Sequence, residues 1–210
     1  MLYDADTIRM VIRTLKTHYT TAPLPPIICD PVSVSTSGHE LLQKDAIKVL
    51  LDELFPAAML ITPNKAEAEA LLVALGEPME INDVEDMLRA AQRLLERSGS
   101  AAVLLKGGHV TSREPDVQQV LKMSSDLKVI REGGLPGPNM EVLSPAEGNM
   151  DDLELVVDVL CEKDKETLFL RPRIDSMSTH GTGCTLSAAI ACALANGSNS
   201  ESFLFLSLSF

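Results

Sequence analysis

Three short apolar runs, IICD (Ile27–Asp30), AMLIT (Ala58–Thr62) and AAVLLK (Ala101–Lys106), recur along the first half of the chain with helix-patterned segments between them. Strands that alternate with helices pair in parallel. Each crossover must travel back over the sheet, and right-handed crossovers lay helices on its faces. The intervening segments carry the helical period. In Asp4–Tyr19, the residues Ile8, Val11, Ile12 and Leu15 fall on one face. Leu41–Leu54 and Asn64–Leu75 have the pattern of helices, the second stopped by Gly76. Asp83–Arg97 starts acidic and ends basic, as the helix macrodipole favours. A Pro-rich loop (Thr20–Pro26) precedes the first strand, Pro31 ends it, and a Ser/Thr/Gly loop (Ser33–Glu40) follows. The expectation is an α/β fold with a mostly parallel sheet flanked by helices on both faces.

The second half breaks this rhythm. Thr111–Asp152 is polar, with Gly, Pro and Asn clusters, and is expected to be a disordered surface insertion. LELVVDVLCE (Leu153–Glu162) and ETLFLRP (Glu166–Pro172) form two β-patterned runs joined by a charged Lys-Asp-Lys turn, a hairpin signature. A smooth apolar helix then begins at THGTGC and runs to Gly197. Residues 1–197 are expected to form one domain, and SNSESFLFLSLSF (198–210) an unrelated tail, too short to span a bilayer. No internal repeat is found, and with its acidic start the chain is not expected to carry a signal peptide.

Charge excludes some partners. Eighteen Lys and Arg stand against 30 Asp and Glu, a net charge of −12. Such a chain repels nucleic acid and anionic membrane. The four cysteines form no C-x-x-C pair and have no His cluster beside them, so a zinc site is not expected. Cys29, Cys161 and Cys192 are expected to be small buried hydrophobes, and the compartment reducing, hence cytoplasmic.

Four fragments could carry chemistry. Gly181, Thr182 and Gly183 put bare backbone N–H groups at the positive end of a helix, an anion cradle. Cys184 there should have its thiolate favoured and its pKa lowered. The alternative is a tight turn into a buried helix with an inert Cys. In TPNKAEAEALL (Thr62–Leu72), Asn64 and Glu67 have capping-box spacing, and at a strand's carboxyl end they could also organise Mg²⁺. In LLKGGH, a strand delivers Lys106, then Gly107 and Gly108 allow a ligand near the backbone, then comes His109. A Gly turn with a solvated His is the plainer reading. Asp30 lies at a strand's carboxyl end, where open α/β sheets place ligands, and the Ser33–Glu40 loop could close over a site.

Together and in this order, D-P-V, T-P-N-x-x-E-A, V-L-x-K-G-G-H, the D-V-L hairpin and T-H-G-T-G-C-T-L-S resemble the ribokinase-like superfamily. More narrowly they resemble the hydroxymethylpyrimidine/phosphomethylpyrimidine kinases of thiamine biosynthesis. The resemblance implies ATP and Mg²⁺, a small pyrimidine substrate and a homodimer. It implies that Gly181, Thr182, Gly183 and Cys184 form the anion hole, with Cys184 facing the accepting oxygen as base or as part of the hole. Asn64 and Glu67 would hold Mg²⁺ and phosphates, with Asp30 and Thr62 near the triphosphate. Lys106, Gly107, Gly108 and His109 would lie near the nucleotide, and Val32 would touch the pyrimidine. Pyridoxal kinases are the nearest rivals. The family also implies segments before Met1 and after Gly197, so the chain is expected to be truncated at both ends. A catalytically inactive fragment is then the alternative to a kinase.

Overall fold

The structure, a computed structural model, describes residues 2–32, 43–124, 126–131, 141–142, 153–175 and 181–197. The Ser33–Glu40 loop and the 198–210 tail lie outside the described residues. The chain begins with helix α1 (Ala5–His18), capped by Asp4, whose side chain accepts a 2.7 Å hydrogen bond from the Thr7 amide. Strand β1 (Ile28–Cys29) follows, then helix α2 (Lys44–Val49). Beyond α2 the coil widens to a π turn over Leu50–Leu54 and tightens to a 3₁₀ turn over Phe55–Ala57. Pro56 accounts for this break, because it lacks an N–H and its ring clashes with the carbonyl one turn back.

Strand β2 (Leu60–Ile61), helix α3 (Lys65–Ala74), helix α4 (Val84–Ser98) and strand β3 (Ala102–Leu105) complete the expected alternation. Helix α5 (Glu114–Met123), strand β4 (Lys128–Arg131) and strand β5 (Glu141–Val142) come next. The hairpin is β6 (Leu155–Glu162) and β7 (Lys165–Pro172), and strand β8 (Ile174–Asp175) and helix α6 (Thr182–Ala195) close the described chain.

The main sheet runs β1-β2-β3-β6-β7-β4. β1, β2 and β3 are mutually parallel, β6 is antiparallel to both β3 and β7, and β4 is parallel to β7. The expected disordered insertion over 111–152 is corrected here. Its first half is α5, which buries Val117 and Val120, and β4, which pairs with β7 from Lys128↔Thr167 to Arg131↔Leu170. An edge strand with charged ends and one partner has little apolar pattern to announce it.

Residues alternate between the two faces of the sheet. Cys29, Ile61, Val103, Leu105, Val157, Val159, Leu168 and Leu170 join a large core with α1–α5. Leu60, Leu104, Leu160 and Phe169 point the other way, onto Ile190 of α6. Helices therefore cover both faces, as expected, but unequally. Helix α6 buries only Ser187 and Ile190. Cys192 is exposed, not the buried hydrophobe expected, since the stripe that meets the small cluster runs through Leu186, Ile190, Ala193 and Leu194. Cys29 and Cys161 are buried as expected. Among the described residues no helix is long and apolar enough to cross a membrane.

Candidate active site

The three parallel strands end side by side, and each hands over to a polar residue on the α6 side of the sheet. Asp30 follows β1, Thr62 follows β2 and Lys106 follows β3. Lys106 Nζ donates a 2.8 Å hydrogen bond to Asp30 Oδ1, within an ion pair whose side chains are only 15% and 12% exposed. Thr62 Oγ1 donates to the same carboxylate oxygen at 3.0 Å. The Lys106 amide donates to the Pro63 carbonyl at 2.9 Å, and a parallel bridge couples Asn64 to Lys106.

The start of α6 comes down onto this cluster. Gly181 is its N-cap, with φ of 78°, a left-handed conformation that suits glycine. Gly183 faces Lys106 so closely that a Cβ there would lie 2.9 Å from Nζ and 3.7 Å from Asp30 Oδ2. Ser187 joins the two parts. Its hydroxyl lies 3.0 Å from Thr62 Oγ1 and 3.0 Å from the Gly183 carbonyl oxygen. The sequence reading missed Ser187; its signal is a hydroxyl one helical turn beyond Gly183, and so on the same side of the helix as that glycine.

The direction of the Cys184 pKa is a correction. The helix dipole alone favours its thiolate, but the pKa is raised above the ordinary value. Desolvation pushes it up first. The Asp30 carboxylate follows, both by its charge and by accepting the thiol's hydrogen bond, and Lys106 only partly offsets them. The resting sulfur is therefore a neutral thiol aimed at Asp30. Cys29, one residue before Asp30, is pushed by burial to about 12 and is chemically inert.

Asn64 and Glu67 form the capping box of α3. Asn64 Oδ1 accepts from the Glu67 amide at 3.0 Å, and Glu67 Oε2 accepts from the Asn64 amide at 2.8 Å. Glu67 is 4% exposed, and its charge is felt by the thiols of both Cys29 and Cys184. Among the described residues no three His, Cys, Asp or Glu side chains are grouped to cage a metal. Two carboxylates near neighbouring strand ends fit Mg²⁺ of the kind that keeps its waters and rests on substrate phosphates, since that ion needs no closed protein cage.

The remaining expected residues lie in the segments that adjoin Asp30, Lys106 and Gly183 in the chain. Val32 is half-buried, and its amide donates to the Asp30 carbonyl at 2.9 Å. Gly107 is buried, while Gly108 and His109 are exposed in the turn that follows β3. That turn is closed by the Val110 amide on the Gly107 carbonyl at 2.9 Å. Thr182 is exposed in the first turn of α6. The structure thus brings Asp30, Thr62, Lys106, Gly183 and Cys184 together, with Glu67 close enough to act on the thiol, and leaves His109 toward solvent.

The chain is similar to known proteins in sequence and in fold. The family profile of phosphomethylpyrimidine kinase matches residues 1–140 and 145–203. A hydroxymethylpyrimidine/phosphomethylpyrimidine kinase of Rhizobium meliloti (strain 1021) is 36% identical over 172 residues, covering 81% of this chain and 47% of that protein. The crystal structure of phosphomethylpyrimidine kinase from Clostridium difficile 630 superposes with a TM-score of 0.62 at 26% identity, over 99% of this chain and 63% of that one. An ADP complex of Bacillus subtilis pyridoxal kinase shares the fold at a TM-score of 0.68 and 24% identity, over the whole of this chain and 59% of the other. The chain therefore spans less than two thirds of each of these relatives.

Proposed function

Since the chain belongs to the phosphomethylpyrimidine kinase family and has its ribokinase-like fold, we propose that it transfers phosphoryl groups from ATP to hydroxymethylpyrimidine and then to its monophosphate, in thiamine biosynthesis. The convergence of Lys106, Asp30 and Cys184 with the first turn of α6 carries this reading. Phosphoryl transfer asks little covalent chemistry of the protein. It needs the donor and acceptor held in line and the spread negative charge stabilised.

Each part supplies one of these needs. The amides of Gly181, Thr182, Gly183 and Cys184, at the positive end of α6, suit the transferring phosphoryl oxygens. Lys106 adds a fixed cation beside them and is kept in place by Asp30. A neutral Cys184 thiol favours a role as a contact in the anion hole over a role as resting base. The acceptor's proton then has a nearby destination in the Asp30 carboxylate, reached directly or through the sulfur. Mg²⁺ bound with the nucleotide would face Glu67 and Asn64 through its waters, and would neutralise phosphate charge. Val32 would touch the pyrimidine ring, Thr62 and Asp30 would line the triphosphate, and Gly107, Gly108 and His109 would border the nucleotide. We place the reaction in the cytoplasm and the working unit in a homodimer, which sedimentation would test.

The decisive assay follows ADP release from ATP with hydroxymethylpyrimidine, its monophosphate and pyridoxal offered side by side. The expected result is turnover on both pyrimidines, little on pyridoxal, and a loss of about a hundredfold or more in Cys184→Ala. Preference for pyridoxal would overturn the substrate assignment. No turnover by this chain on any of the three would make it an inactive relative.

A further inference from the structure

Asp158 is the one charged residue within the buried run Leu155–Cys161 of β6, and it is 1% exposed. A carboxylate that deep is costly unless something offsets it. Two groups do. The Gly107 amide donates to Asp158 Oδ1 at 2.7 Å, and Arg171 Nη2 lies 3.1 Å from Oδ2 in an ion pair. The first bond fastens the turn that follows Lys106. That turn has no room to slide, because a Cβ on Gly107 would lie 1.9 Å from the Val157 carbonyl oxygen. A neutral amide or hydroxyl would satisfy one N–H equally well, so the carboxylate with its own guanidinium is more than local satisfaction requires.

The strand alternation places Asp158 on the same side of the sheet as the candidate site. Its cross-strand partner Phe169 faces the α6 cluster, and so do Leu104 and its partner Leu160. Lys106 is two residues beyond Leu104 and therefore shares that side. This side of the sheet thus carries charges of alternating sign, Asp30 after β1, Lys106 after β3, Asp158 in β6 and Arg171 in β7, with the neutral Thr62 after β2 between the first two.

We propose that Asp158 is a positioning residue for the nucleotide. With Arg171 as its counter-charge, it locks the peptide plane between Lys106 and Gly107, so that the glycine turn and the Lys106 ammonium present one fixed surface to the phosphates. This rests on the reading above that the Lys106–His109 turn borders the nucleotide.

The test titrates Mg·ADP into the chain by calorimetry, for wild type, Asp158→Asn, Arg171→Met and the double variant, with thermal midpoints measured alongside. Asp158→Asn keeps the size and loses the charge. It should weaken Mg·ADP by roughly tenfold or more. In the turnover assay KM for ATP should rise by a similar factor, while kcat stays within about threefold. Arg171→Met should weaken binding in the same direction, and the double variant should lose no more than Asp158→Asn alone, because the pair acts as a unit. Should Asp158→Asn fail to fold, Arg171→Met carries the same affinity readout. A lowered thermal midpoint with wild-type affinity would show a merely structural carboxylate and overturn the proposal. A wild-type chain that binds no Mg·ADP would overturn both the proposal and the nucleotide reading beneath it.

Discussion

The two faces of the main sheet are built from the same strands, one residue apart, and they differ throughout. The face under α1–α5 is apolar through β2, β3 and β6, with Ile61, Val103, Leu105, Val157 and Val159 all fully buried, and its charges, Arg131 and Glu166, stand on the outer strands β4 and β7. The α6 face is apolar only through its middle, at Leu60, Leu104, Leu160 and Phe169. Toward the carboxyl ends of β1–β3 it changes to Asp30, Thr62 and Lys106, with Asp158 and Arg171 beyond them. One face holds the fold together. The other spends part of its area on charges that are already paired with one another before any ligand arrives. Parity along a strand decides which of the two a residue serves.

Moving a charge by one position is the harshest way to break that comparison. Val157→Asp puts a carboxylate on the apolar face with neither an amide nor a guanidinium to meet it. It should cost about 4 kcal/mol or more, enough to unfold a marginal domain, whereas the natural Asp158 next to it is tolerated. Urea unfolding monitored by circular dichroism measures the difference. A variant as stable as wild type would show that the two faces are not distinct.

A gentler cut separates the α6 start from the strand ends. Ser187→Ala removes the hydroxyl shared between Thr62 and the Gly183 carbonyl and should cost about 1 kcal/mol. The large core lies on the opposite face and should keep the overall fold. Hydrogen exchange should show the loss concentrated in the first turn of α6. A loss spread evenly over the chain would mean that Ser187 is ordinary core.

The smallest effect on stability sharpens the electrostatics of the polar face. The thiolate is the species that iodoacetamide attacks, so the pH inflection of Cys184 alkylation follows its pKa. That inflection should lie above the ordinary 9.0, since desolvation and Asp30 both disfavour the anion. Asp30→Asn removes an upward push and should lower the inflection, while Lys106→Met removes the downward pull of its ammonium and should raise it. An inflection below 9.0 would restore the dipole-activated thiolate expected from the helix start alone.

What the sequence made legible was local. The strand and helix alternation, the Asn64–Glu67 box and the hairpin turn at Lys163–Asp164 each depend on residues within a few positions of one another, and all stand in the structure. Helix α5 was equally local but went unread: Pro115 in its first turn and Val117, Val120 and Leu121 at helical spacing sat inside a stretch whose polarity dominated. Strand β4 needs β7 to exist at all. The Cys184 thiol shows the other limit. Its place at a helix start is written in GTGC, but its expected pKa is reversed by desolvation and then by a carboxylate that arrives from the end of β1, in the first part of the sequence. Asp158 had a visible signal, a charge within an apolar run, and its partner Gly107 was visible only in three dimensions.

The central claim is that donor and acceptor meet at the start of α6, and α6 contains its own control. Cys184 and Cys192 are both exposed on this helix, one at the site and one two turns away, while Cys29 and Cys161 are buried. Iodoacetamide labelling, read cysteine by cysteine in fragment mass spectra, should therefore be run with and without Mg·ADP plus hydroxymethylpyrimidine phosphate. The account predicts that the ligands slow labelling of Cys184 by about tenfold or more and leave Cys192 unchanged. Equal labelling of Cys184 with and without saturating ligands would contradict it.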